Sequence, residues 1–159
     1  MKHRPDLEKL VDYNVDVLGQ ALQVLAAHAA APGSDYCSHT GPHLRHVIEH
    51  YEAFTQHVAS YSVDYDSRAR DRAPERDMNV ARARIVALQQ QLQALDLAAV
   101  TEPLAVHMRG GLGGEENFVS FSSVARELLF VASHAVHHYA LIQLHCKAQG
   151  ISLGDDFGK

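Results

Sequence analysis

The chain has no tryptophan and only two cysteines, Cys37 and Cys146, which lie far apart and form no CxxC pair. That removes the sequence basis for a redox motif or a zinc ribbon and leaves both thiols as packing residues. Long apolar runs are also missing. Every apolar segment is broken by His, Gln, Asp or Arg well short of the roughly 18 residues of a membrane span, so no membrane role is expected. The opening Met1-Lys2-His3-Arg4-Pro5-Asp6 is polar and lacks the apolar stretch of an export signal, so the expected location is cytoplasmic. Clustered Lys and Arg are absent as well. With 14 basic against 19 acidic residues and a formal charge of -5, the chain offers no surface for a nucleic-acid backbone, and nucleic acid is not an expected partner. The glycine cluster Gly110-Gly111-Leu112-Gly113-Gly114 lacks the Lys-Ser/Thr ending of a phosphate-binding loop.

What remains is 159 residues of ordinary globular composition, 47% apolar and 21% charged, enough for one self-sufficient domain over 1–159. One count stands out. There are 12 histidines, nearly as many as Lys and Arg together, and they are internal and dispersed.

Hydrophobic periodicity predicts a first helix capped by Asp6, carrying Leu7, Leu10, Val11, Leu18, Leu22 and Leu25 and ending by Pro32-Gly33. A second opens at Thr40-Gly41-Pro42, a capping hydroxyl followed by an early proline, with Leu44, Val47, Ile48, Tyr51, Phe54 and Val58 inward. The polar stretch Tyr61 to Arg72 reads as a crossover loop, long enough to be functional. Pro74 to Leu95 reads as a third helix, with Ala81, Ile85, Leu88, Leu92 and Leu95 on one side. Alternation through Leu104 to Arg109, the glycines, and a return strand Asn117 to Phe121 predict a hairpin. A last helix, capped by Ser122 or Ser123, runs to Gln149 with Gly150 as its stop. The expected fold is all-α: one four-helix bundle with a long crossover loop and a small hairpin between helices three and four.

The last helix carries the chemistry. Val124, Leu128, Val131, Ala135 and Ile142 cluster on one side, and His134 and His138 fall within that cluster at i, i+4, the spacing by which a helix offers two nitrogens to one metal. Leaving buried imidazoles unsatisfied costs about 1–3 kcal/mol each, and one ion would satisfy both. Glu127 and His145 lie on the same stripe about two turns to either side, placed to orient metal-bound imidazoles. A third ligand is expected from the facing second helix, where His43, His46, His50 and His57 line one flank. No serine, cysteine or lysine stands out as a nucleophile.

Three segments, Thr40-Gly41-Pro42-His43-Leu44-Arg45-His46-Val47-Ile48-Glu49-His50, Asp64-Tyr65-Asp66-Ser67-Arg68, and Arg126-Glu127-Leu128-Leu129-Phe130-Val131-Ala132-Ser133-His134-Ala135-Val136-His137-His138-Tyr139, occur in an order that resembles the DinB/YfiT-like metalloprotein family over most of the chain. The resemblance implies a four-helix bundle holding one divalent ion, Zn or Ni, through one second-helix histidine and the HxxxH pair of the fourth. The pair maps onto His134 and His138. Leu44 two positions earlier points to His46 as the third ligand, while Thr40 lies six positions before His46 where the family has seven, which leaves His50 as the alternative. An open coordination position would activate water or a low-molecular-weight thiol for hydrolysis or S-transfer; the rival expectation is a non-catalytic, stress-response protein whose metal is structural. Tyr65, Asp66 and Arg68 are expected near the open position as substrate contacts. A homodimer is expected too, because family members often pair and because Tyr13, Val15 and Val17 lie outside the main stripe of the first helix.

Overall fold

The computed structural model describes residues 6–99 and 103–159. The Met1–Pro5 part of the opening segment, on which the expectation of no export signal rests, lies outside them. Among the described residues, no helix is long and apolar enough to cross a membrane.

Helix α1 spans Leu7–Ala29, its first turn capped where the Asp6 carboxylate accepts from the Lys9 amide. Helix α2 spans Thr40–His57 and runs into a single 3₁₀ turn at Val58–Ser60. Strand β1, Ser62–Asp64, precedes the short α3, Ala73–Arg76, and α4, Met78–Gln93. Strands β2, Leu104–Gly110, and β3, Glu116–Ser122, lead to α5, Val124–Ala148, where the Ser123 hydroxyl accepts from the Arg126 amide at 3.2 Å. Helices α1 and α2 each pack against both α4 and α5. Val17, Leu18, Leu25, Leu44, Ile48, Tyr51, Phe54, Ile85, Leu88, Leu128 and Ile142 form one core between them.

Polar anchors fix the rotation of these helices. Asn14 of α1, fully buried, donates to the carbonyls of Leu10 and Leu128 and accepts from the Tyr51 hydroxyl at 2.7 Å, so one amide joins α1, α2 and α5. On the far side of α5 the Tyr139 hydroxyl donates to the Val17 carbonyl at 2.8 Å. Together they turn the flank carrying His134 and His138 toward α2.

The all-α, four-helix expectation is corrected. The described residues form five α-helices and a three-stranded mixed sheet of order β1-β2-β3. The crossover supplies the unforeseen strand: Tyr61, at φ 59, turns the chain out of the 3₁₀ turn, and Val63 is buried where β1 pairs parallel to β2, Val63 opposite Val106. Three residues are too few to show a period of two. The expected third helix, Pro74 to Leu95, is broken at Asp77, whose backbone is extended and whose carboxylate caps α4 through the Asn79 amide at 2.8 Å. The hairpin joins β2 and β3 antiparallel, Leu104 opposite Ser122 and Gly110 opposite Glu116.

Two details correct the reading of single residues. Thr40 is the first residue of α2 rather than its cap; its hydroxyl lies 3.1 Å from Nε2 of His28, and His39 occupies the cap position without a side-chain bond. Val17 is fully buried and Val15 packs against the core, so only Tyr13 of the three α1 residues cited for a dimer is exposed.

Candidate metal centre

The seam between α2 and α5 is lined by imidazoles from both sides. On α2, His43, His46 and His50 recur at spacings of three and four, which keeps them on one flank, and His39 caps the helix just before them. On α5, His134 and His138 face them. Ring centroids stand 5.0 Å apart for His46 and His134, 4.6 Å for His46 and His138, and 4.7 Å for His134 and His138. One nitrogen from each of these three rings lies within 4.8 Å of the others, close enough for all three to hold a single ion. Nε2 of His134 is buried and has no hydrogen-bond partner among the described residues, an orphan that an ion in this position would satisfy.

The rings of His46, His50, His134 and His138 are held neutral. Burial is the largest cause of the depression to about 3 at His46, followed by the charges that His50, His138 and Arg68 would set against it. Burial likewise brings His138 and His50 down to about 4, and lowers His134. Neutral imidazole is the form that binds metal, so these rings need shed no proton to do so near neutral pH.

His50, the alternative ligand, sits one turn beyond. Its ring is 4.1 Å from that of His134, but it does not share the nitrogen cluster. Its Nδ1 donates to the His46 carbonyl at 2.9 Å, which places the proton on Nδ1 because a carbonyl can only accept. Arg68, from the crossover, reaches the same place. Its Nη1 donates to Nδ1 of His46 at 2.7 Å and stands 3.7 Å from the buried carboxylate of Glu49.

The other predicted site residues fall into two groups. Tyr65 and Arg68 join the centre, Tyr65 by stacking on His50 with centroids 5.6 Å apart. Glu127 is buried one layer behind, where it accepts from the Tyr65 hydroxyl at 2.6 Å and from Ser122; it holds Tyr65 and makes no bond to the His134 or His138 rings. Asp66 faces the sheet, where its carboxylate accepts from the Arg109 amide at 2.6 Å. His145 lies farther along the seam beside His39, with centroids 4.3 Å apart, and does not orient His138. That orienting contact comes from His43, whose Nδ1 is 2.8 Å from Nδ1 of His138. Sequence reasoning placed His43 on the correct flank without giving it a partner, and it passed over Glu49, which a helical reading places one turn after Arg45.

No family model matches the chain, and no solved structure matches it. Among curated proteins it is similar to FK506-binding protein 5 of Rhizopus delemar, with 30% identity over 96 residues, which is 60% of this chain and 25% of that protein. The chain thus spans about a quarter of the length of this relative.

Proposed function

We propose that the chain is a DinB/YfiT-like metalloprotein that binds one divalent ion, Zn or Ni, through His46, His134 and His138. The observation that carries this is the convergence of three neutral imidazoles from two helices around the unsatisfied Nε2 of His134. Such an ion keeps an open position and lowers the pKa of a water or a small thiol held there. The chain's own residues supply the rest. Arg68 and Tyr65 come from the crossover to the same side of the cluster, and a guanidinium there offers fixed donors to an anionic group of a substrate or thiol cosubstrate. The proposed reactions are thiol S-transfer and metal-assisted hydrolysis. We place the protein in the cytoplasm, where exposed Cys37 and buried Cys146 stay free thiols.

A second reading has its own support: the three rings come from opposite sides of the α2–α5 seam, so the ion would fasten the two helices and add its binding energy to folding. One comparison separates the readings. Tag-free protein is screened for thiol transfer to electrophiles and for ester hydrolysis with and without chelator, and its melting temperature is measured in parallel. Metal-dependent turnover supports the catalytic reading; a large melting shift with no turnover supports the structural one.

A further inference from the structure

The seam holds more imidazoles than the centre uses. Beyond His138, toward the start of α2, stand His39, His43 and His145. His39 caps α2 and precedes His43, in its first turn, by four residues. His145 comes from α5 and meets His39 with ring centroids 4.3 Å apart. The inner group takes two rings from α5 and one from α2; this outer group takes one from α5, one from α2 and one from the residue that caps α2. Nε2 of His145 is buried without a hydrogen-bond partner among the described residues, the same signature as Nε2 of His134. His43 uses only Nδ1, toward His138, which leaves its Nε2 uncommitted. Asp35 stands close enough to have its carboxylate pKa lowered by both His145 and His39, after the larger effect of Ser38, so a negative charge borders the group.

We infer that His39, His43 and His145 form a second site for a divalent cation of the zinc, nickel or copper class, at the outer end of the α2–α5 seam. Imidazole donors select these borderline metals over magnesium or calcium. The outer site binds more weakly than the inner one. His39 is exposed, and among the described residues only the inner three have nitrogens all within 4.8 Å, so the outer rings must be drawn together when the ion binds. This site does not depend on the function proposed for the inner centre.

The test is a calorimetric titration of chelator-stripped, tag-free protein with zinc chloride, set beside histidine side-chain NMR of the same protein. The expected result is two ions per chain, the second at least about tenfold weaker. His145→Gln with His39→Gln should abolish the weaker event and leave the tighter one within about twofold. The second equivalent of zinc should shift the ring signals of His39, His43 and His145 in the wild-type chain, a readout that needs no variant to fold. Ring signals of His39, His43 and His145 unmoved up to millimolar zinc, or second-equivalent shifts confined to His57 or His107, would overturn the inference. Failure of the inner centre reads differently, as loss of the tight event with the weak one retained.

Discussion

Arg68 donates to Nδ1 of His46 across 2.7 Å, so a cation of the protein already holds one of the three imidazoles proposed to bind metal. A guanidinium stays charged and has no lone pair to give. An ion on that nitrogen must displace it, and an ion on Nε2 of His46 requires a proton on Nδ1, which also breaks the bond. In either case a positive charge is left beside the incoming ion. Arg68→Met should therefore bind zinc at least about tenfold more tightly, a gain of ~1.4 kcal/mol, in competition with a chromophoric chelator. Equal or weaker affinity would show that Arg68 does not oppose the ion.

Tyr65 is pinned by Glu127, and the bond is buried and ends on a carboxyl group. Tyr65→Phe should cost about 1.5–3 kcal/mol in urea unfolding, the usual range for a hydrogen bond to a charged group. Zinc affinity should change little, because the tyrosine touches His50 and not the three-ring cluster. A variant as stable as the parent would show the Glu127 bond to be dispensable.

Gly41 is required by close approach. A Cβ there would lie 2.2 Å from the Glu75 backbone oxygen, so α3 presses directly on the first turn of α2. Gly41→Ala should destabilise the fold by about 1–3 kcal/mol, the cost of overpacking, measurable by thermal and urea unfolding. A neutral outcome would mean that α3 can shift freely away from α2.

Acid should loosen the seam. The folded-state pKa values of His46, His50 and His138 lie at about 3 to 4, below the roughly 6.5 of an unfolded histidine. Between these limits the unfolded chain binds more protons, so the stability contributed is complete above about pH 6.5 and is lost as pH falls toward 4. The melting temperature of the metal-free protein should drop through that window. A flat profile from pH 7 to pH 4 would contradict the burial of neutral rings.

For the homodimer expected from the family resemblance, we propose the sheet rather than α1 as the contact surface. Strand β3 is an edge strand, and Phe118, Val119 and Phe121 are all exposed on it beside Met108 of β2. An apolar edge of this kind invites pairing with another strand. Phe121→Lys should shift a sedimentation profile from dimer to monomer. A wild-type protein that is monomeric at high micromolar concentration would remove the dimer altogether.

How much of this was legible depends on distance along the chain. The His134–His138 pair follows from the helical period alone, since i and i+4 share a face whatever the helix packs against. The choice among α2 histidines does not, because His43, His46 and His50 all lie on one flank. Which of them meets His134 is set by how α2 sits along α5, and Asn14 of α1, bonded to Leu128 of α5 and Tyr51 of α2, ties the two through contacts distant in sequence. Strand β1 was invisible for a related reason: it is three residues long, and its pairing partner Ala105–His107 lies beyond α3 and α4. The break at Asp77 could have been read, since an aspartate two residues before Asn79 is an ordinary cap, but the apolar period beyond it hid the stop.

The central claim rests on stoichiometry. Protein made without a histidine tag or a nickel column and freed of loosely held metal by dialysis should carry close to one Zn or Ni per chain by elemental analysis. His134→Ala and His138→Ala should each bring that to near zero while the helical circular dichroism is kept. Full occupancy in both variants would contradict the account, and loss in His50→Ala with retention in His46→Ala would move the third ligand one turn along α2.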